Sequence, residues 1–235
     1  MEPQQIGEEI WARITPSAPP SGTWPVLIAL GVAAGLVVVP TLWRLARPAV
    51  TIVHELGHAA VGILAGRRFT GFVVSADMSG HAVTVGKRRG IGRILTTWAG
   101  YPAPAVLGAA LIQIALAGWA GTALFAVLLV LLVSLVFTRS LHTVAAVLGS
   151  AAAVGLIWWF GGAALGGPVA LAIGAFLLLG AWTHLAAVIT SGRRGDDPAQ
   201  LAQLTPLPAW CWNGTFLLVL GACTWWAIRA LMSGN

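Results

Sequence analysis

Charge is scarce in this sequence. Only 9% of its 235 residues are Asp, Glu, Lys or Arg, whereas 58% are hydrophobic. A soluble globular domain carries about 25% charged residues, so this composition argues against a water-soluble protein. Several apolar runs are long enough to cross the ~30 Å hydrocarbon core of a bilayer. The composition therefore predicts an all-α polytopic membrane protein surrounded by the lipid bilayer.

Acidic residues and cysteines are also few. Beyond the first nine residues the only acids are Glu55, Asp77, Asp196 and Asp197. A metal or proton transporter would need more ionisable side chains along several spans, so that class of protein is disfavoured. Cys211 and Cys223 would lie about 18 Å apart on a helix, which is too far for a disulfide.

A basic signal-peptide start is missing as well, because Glu2, Glu8 and Glu9 occupy that region. Residues 1–23 are instead interpreted as an N-terminal amphipathic segment, helical over 4–14, followed by a linker. Residues 24–235 are predicted to form a single transmembrane domain. The net charge of +6 does not indicate a nucleic acid partner, since basic loop residues in membrane proteins set orientation.

Apolar runs predict about six to seven membrane-spanning helices. Their bounds are placed at residues 24–43, 49–65, 91–117, 120–137, 141–160, 168–190 and 212–232. Pro48 is predicted to open the second of these spans, since proline is favoured in a first helical turn. The fifth and sixth spans are expected to be separated by a run of glycines, which comprises Gly161, Gly162, Gly166 and Gly167.

The stretch between the second and third spans has a different pattern. "TGFVVSADMSGHAVTVGK" (70–87) alternates and is rich in valine, with Asp77-Met78-Ser79-Gly80 in its middle. This pattern predicts a small β-hairpin with a short turn. A hairpin between two membrane helices must be buried in protein or lie at the membrane surface.

Basic residues are distributed unevenly over the predicted loops. With seven spans, one side would hold Arg13, Arg67, Arg68, Lys87, Arg88, Arg89, Arg93, Arg139, Arg193 and Arg194. The other side would hold only Arg44, Arg47 and Arg229. The positive-inside rule then places the N-terminus, the hairpin with its basic loop (67–90) and the 191–211 loop in the cytoplasm.

One apolar segment, "TIVHELGHAAVGILAG" (51–66), contains two histidines and a glutamate. On a helix His54 and His58 share one face, which suits two ligands of one Zn²⁺. Glu55 could take a proton from a water that the metal activates. This H-E-x-x-H spacing is that of zinc peptidases. The alternative is a polar trio packed between helices, although a membrane-buried carboxylate is costly to keep.

The sequence resembles the site-2 protease family of zinc intramembrane metallopeptidases, in particular its compact bacterial members. The residues that carry the resemblance are "HELGH", the hairpin "GFVVSADMSGHAVTVGK" after it and "GYPAPAVLG" at 100–108. The resemblance implies a fold of about six helices around zinc, set into a bacterial cell membrane near its cytoplasmic face. It also implies an endopeptidase that cleaves transmembrane or membrane-adjacent segments and holds its substrate as a strand added to the hairpin.

The third zinc ligand is the point where the sequence departs from that family. The Asn-Pro and Leu-Asp-Gly stretch of better-known members is absent, and the nearest equivalent is "GDDPAQLAQL" (195–204). Asp197 is preferred over Asp196, because a short helix from Pro198 would fix its direction. The alternative is that Asp197 only caps that helix. Asp77 is given a turn-forming role.

The remaining histidines are interpreted as structural residues, although His142 and His184 could line the site as outer groups. His81 falls in the predicted hairpin turn. The function predicted for the chain is zinc-dependent endoproteolysis within the membrane. The alternative is a proteolytically inactive relative that binds or escorts membrane partners, but such a protein would have no need of Glu55 as a general base.

Overall fold

Apolar runs of this chain fold into helices, which satisfy their own backbone hydrogen bonds as hydrocarbon requires. The computed structural model describes residues 3–20, 22–75, 79–191 and 195–233. These residues form ten α-helices, which are α1 (Pro3–Ile14), α2 (Thr23–Val38), α3 (Pro40–Leu64), α4 (Ile91–Trp98), α5 (Pro102–Leu116), α6 (Ala120–Ser134), α7 (Leu141–Phe160), α8 (Gly162–Ser191), α9 (Asp197–Leu204) and α10 (Ala209–Ser233). One 3₁₀ turn, Leu135–Phe137, extends α6, and two strands, β1 (Arg68–Val74) and β2 (Gly80–Val85), follow α3.

Four helical segments are long and apolar enough to cross a membrane by themselves: α6 with its 3₁₀ turn, α7, α8 and α10. Two further crossings are possible if bent pairs count as one span each, namely α2 with α3 (bent by 99°) and α4 with α5 (bent by 59°). The chain is therefore a multi-pass, all-α membrane protein, as predicted. The predicted bounds agree best at 141–160, which coincides with α7.

The predicted break between the first two spans is in the wrong place. The chain bends at Val39, and Pro48 lies inside α3 instead of at its start. Pro40 takes the first-turn position of α3, where its missing N–H costs nothing. A proline inside a membrane helix is tolerated when neighbouring groups compensate for the lost bond. Helix α8 also contains an internal proline, because it begins at Gly162 and continues through Pro168. Of the predicted run of glycines, only the first two lie at the junction of α7 and α8, and Gly166 and Gly167 lie inside α8.

Helix α8 lies at the centre of the bundle and packs against α2, α5 and α10. Its closest crossing is with α5, where Gly108 and Gly174 face each other. A Cβ on Gly174 would lie 2.7 Å from the carbonyl oxygen of Gly108. Small residues at such crossings allow membrane helices to approach backbone to backbone.

The predicted hairpin is present. Strands β1 and β2 are antiparallel, with Phe72 opposite Ala82 and an irregularity between Phe69 and Gly71. Side chains of Phe72 and Val74 are fully buried, which seats the hairpin on the bundle. Asp77 and Met78 of the predicted turn lie outside the described residues.

The N-terminal helix and the hairpin lie at opposite ends of α7. In α1, Arg13 donates to the carbonyl of Trp158, near the end of α7 (3.1 Å). The hairpin instead contacts the start of α7, where the backbone N–H of Val74 donates to Oγ1 of Thr143 (2.8 Å). Thr143 and Trp158 are 15 residues apart, which is about 22 Å along the helix, so α1 and the hairpin contact α7 near its two opposite ends.

These contacts of α1 and of the hairpin with α7 do not fit the expectation that the N-terminus shares the side of the hairpin. That expectation counted two crossings before the hairpin. The bent pair of α2 and α3 can count as one crossing, and in that case everything before it changes sides. The amphipathic helix predicted at 4–14 is present as α1. The division into a segment at 1–23 and a domain at 24–235 stays a prediction.

Candidate metal centre

Helix α3 brings His54 and His58 onto one face, as their four-residue spacing requires. Their Nε2 atoms are 3.2 Å apart, and the ring planes are nearly perpendicular. Between them in sequence, Glu55 is almost completely buried, with 2% of its surface exposed. The hairpin and α4 cover this part of α3. The three polar side chains are therefore enclosed at a position where apolar side chains would ordinarily pack.

Asp197 enters the same place from the opposite end of the sequence. It is the first residue of α9, it is buried, and its Oδ2 lies 3.3 Å from Nε2 of His54 and of His58 alike. Asp196 occupies the N-cap position of α9 without a side-chain capping bond. The predicted capping role of Asp197 is therefore wrong by one residue. Proline at the second position of α9 leaves Asp197 as the first helical residue.

The three converging atoms fit a metal ion. Ligands held at 2.0–2.1 Å in a tetrahedron around zinc are about 3.3–3.4 Å from one another, which matches the separations of 3.2 and 3.3 Å found here. Among the described residues Oδ2 of Asp197 makes no hydrogen bond, although it is buried. Buried polar atoms are nearly always satisfied, so this oxygen calls for a bound partner. His54, His58 and Asp197 are also the described residues whose ligand atoms cluster as a metal site requires.

The charge state of Asp197 suits this role. Burial opposes ionisation of its carboxyl group, but the neighbouring His58 and His54 outweigh that effect and hold the pKa of Asp197 below its usual value. The aspartate is thus a carboxylate, the form that binds a cation.

The ring of His58 is fixed by a backbone contact that the sequence did not reveal. Its Nδ1 lies 2.7 Å from the carbonyl oxygen of Thr96 in α4. A carbonyl only accepts, so Nδ1 carries the hydrogen, and Nε2 is the nitrogen that faces Asp197 and would bind a metal ion once it is unprotonated. Such backbone acceptors commonly orient metal-binding histidines. On the other side, the ring of Tyr101 packs edge-on against His54.

Two glycines give the site its shape. A Cβ on Gly100 would lie 2.5 Å from Nε2 of His58 and 2.6 Å from Nε2 of His54. A Cβ on Gly80, at the start of β2, would overlap Oε1 of Glu55 and lie 2.9 Å from its Cγ. Gly100 therefore leaves room beside the two imidazoles, and Gly80 leaves room beside the carboxylate. The stretch "GYPAPAVLG" contains Gly100, but nothing in the sequence assigned that glycine to the histidines.

These residues open into one cavity of about 420 Å³. Its wall includes both histidines of α3, Glu55 and Asp197. The other polar residues of the wall include Arg47, His81, Arg93, Tyr101, His184, Asp196 and Gln200. His184 and His81 thus line the site, whereas Nδ1 of His142 lies 3.0 Å from the carbonyl of Val74 and anchors the hairpin. Asp77 and the predicted loop residues Arg193 and Arg194 lie outside the described residues.

A comparison with protein families gives this geometry a context. A family model described as Peptidase M50B-like matches residues 27–227, which is most of the chain. The chain belongs to the Peptidase M50B-like family. No curated protein and no solved structure matches it. Membership of a site-2 protease-type family agrees with the resemblance found in the sequence and supports a membrane-embedded protease.

Proposed function

We propose that this family member is a zinc-dependent endopeptidase that hydrolyses peptide bonds in or next to transmembrane segments of membrane proteins. One observation carries the proposal: three ligand atoms from α3 and α9 converge at zinc-like separations in a cavity that also holds the buried Glu55. His54, His58 and Asp197 would hold the metal and leave a fourth position open, as in catalytic zinc sites.

Each side chain has a distinct role in this reaction. Zn²⁺ at such a site polarises a carbonyl and acidifies water. Glu55 takes a proton from the water as its oxygen attacks the scissile carbonyl carbon, and it then gives a proton to the leaving amine. The hydrogen bond from His58 to Thr96 keeps Nε2 directed at the site. Burial of Glu55 keeps bulk water away from the carboxylate during these transfers.

The hairpin supports a substrate in extended form. Gly80, His81 and Ala82 of β2 line the cavity, and the sheet formed by the described residues has two strands. Among the described residues no third strand pairs with the edge of β2 away from β1. An unwound substrate segment that pairs there would present its backbone next to Glu55.

The test of the proposal measures bound zinc and cleavage separately. In purified protein, wild type should hold one zinc per chain, and the double variant His54→Ala/His58→Ala should hold none. Glu55→Gln should keep the zinc while cleavage of a membrane-protein substrate falls about 10²–10⁴-fold or more. Glu8→Gln, a glutamate exposed on α1, is the matched control and should behave as wild type. Wild-type turnover in Glu55→Gln, or full zinc in the double variant, would contradict the proposal.

We also propose that the hairpin end of the bundle faces the cytoplasm. The described basic residues there include Arg67, Arg68, Lys87, Arg88, Arg89, Arg93 and Arg139. Arg13 and Arg229 lie toward the opposite end, and Arg44 and Arg47 lie within α3. The positive-inside rule favours this orientation, and α1 then lies outside. With Cys211 and Cys223 replaced, a cysteine at Lys87 should resist membrane-impermeant labelling of intact cells, and one at Glu8 should react. The reverse pattern would overturn the orientation, and equal labelling would overturn the placement of α1 and the hairpin on opposite sides.

A further inference from the structure

His184 is a partly buried histidine of the cavity that the proposed reaction leaves without a role. It lies on α8 and lines the same cavity as His54 and Glu55. Its ring packs edge-on against Trp43, with centroids 5.7 Å apart and planes at 75°. Its Nε2 is buried and has no hydrogen-bond partner among the described residues. A buried polar atom in that state is uncommon, so a group that enters the cavity is the natural partner.

That partner is not the metal. The ligand atoms of His54, His58 and Asp197 form a compact group among the described residues, and His184 is not part of it. Three protein ligands already complete a catalytic zinc site. A neutral imidazole offers one N–H, and the ring of His184 packs against Trp43. His184 is therefore a hydrogen-bond group on the wall of the cavity that holds Glu55.

We propose that His184 is a further catalytic residue, whose Nε2–H donates a hydrogen bond to the oxygen of the scissile carbonyl. This inference rests on the proposed proteolytic function. As the water oxygen bonds to the carbonyl carbon, Glu55 takes the proton and the π pair moves onto the carbonyl oxygen. His184 stabilises that oxygen without transferring its own proton. Fixed donors aimed at a developing oxyanion act more strongly on the transition state than on the substrate.

The experiment compares His184→Ala, His184→Gln and the control Thr183→Ala. Thr183 is the adjacent residue of α8, and its hydroxyl bonds to the carbonyl of Leu179 in its own helix. Each purified variant is assayed for bound zinc, for kcat and KM with a peptide substrate, and for affinity toward the matching phosphinic peptide. The phosphinic group is tetrahedral and anionic, so it mimics the transition state, whereas the peptide substrate does not.

In His184→Ala, kcat should fall about 10²–10³-fold, as for loss of one oxyanion donor, with little change in KM and with zinc retained. Affinity for the phosphinic peptide should fall by a similar factor. His184→Gln, whose amide N–H can donate, should recover part of both losses, and Thr183→Ala should match wild type.

An unchanged kcat in His184→Ala, a change confined to KM, or loss of zinc would overturn the role of His184. A loss in Thr183→Ala as large as in His184→Ala would overturn it too, because the effect would then belong to α8 in general. If wild type itself neither cleaves the peptide nor binds the phosphinic peptide, the proposed function fails and this inference fails with it. The two failures are therefore distinguishable.

Discussion

Helices α3 and α9 meet at the candidate metal centre, but they hold their side chains there by different means. In α3, His54 and His58 are one turn apart on a 25-residue helix, so helix geometry alone sets their relation. In α9, Asp197 is the first residue of an eight-residue helix. Its position depends on contacts with other segments, such as the bond from Arg93 in α4 to Gln200 (3.2 Å).

The difference separates what is encoded locally from what is encoded by the whole fold. A short helix is marginal on its own in water, and α9 keeps its place through the fully buried Leu201 and its contacts with α4 and α10. We therefore expect the pair of ligands from α3 to tolerate changes elsewhere, and the ligand from α9 to respond to them. The predictions below test that contrast in order of decreasing effect.

The largest expected effect is at the start of α9 itself. Asp197→Ala removes a proposed ligand, so zinc affinity should fall by more than roughly 100-fold, since even outer-shell changes cost about 10–100-fold. Asp196→Ala, the matched control one residue away, should retain zinc. Titration with a competing chelator measures both. Loss at Asp196 alone, or at neither aspartate, would show that α9 does not supply the ligand as proposed.

The contrast between α3 and α9 also explains which site residues could be predicted from the sequence. The spacing of His54, Glu55 and His58 is a local property, and it predicted their convergence in the structure correctly. For Asp197 the sequence offered only two adjacent aspartates before a proline, and its capping assignment was wrong. Thr96 and Gly100 could not be assigned, because a backbone carbonyl and an absent side chain leave no pattern of their own. Hydropathy predicted the helical, multi-pass character, but its six to seven spans compare with four to six candidate spans among the described residues, and the bend at Val39 was not predicted.

A methyl group at Gly80 should separate catalysis from metal binding. In Gly80→Ala the new Cβ meets Glu55, so the carboxylate must move while the ligands of α3 and α9 stay in place. Cleavage should fall by about 10²-fold, as when a general base is lost, and bound zinc should not change. Gly149→Ala, where a Cβ meets nothing within 4 Å, is the control. Zinc loss in Gly80→Ala would contradict the view that Gly80 leaves room only for Glu55 and not for the metal ligands.

Gly100→Ala, in contrast to Gly80→Ala, should weaken zinc binding. Its Cβ would crowd Nε2 of both histidines, and the ring of His58 cannot retreat without leaving the carbonyl of Thr96. Zinc affinity should fall about 10–100-fold, the range for disturbed ligand orientation, with activity recovering as zinc is raised. The same chelator titration measures the loss. Wild-type affinity in Gly100→Ala would mean that the α3 pair is less closely confined than its neighbours indicate.

The smallest expected effect concerns the tether of α9. Arg93 donates to Oε1 of Gln200, whose own amide donates to the carbonyl of Gly195 (2.9 Å), so this chain of bonds holds the segment that carries Asp197. Removing one such bond should cost about 1 kcal/mol, or roughly fivefold in zinc affinity. Arg93→Leu, Gln200→Leu and the double variant form a cycle, and because both single changes break the same bond, the double should lose less than the sum. Zinc affinity is the readout, since Arg93 also lines the cavity and could affect substrate binding. Additive losses would mean that the two residues act independently, and no loss at all would mean that α9 is held in place by its buried Leu201 without help from this tether.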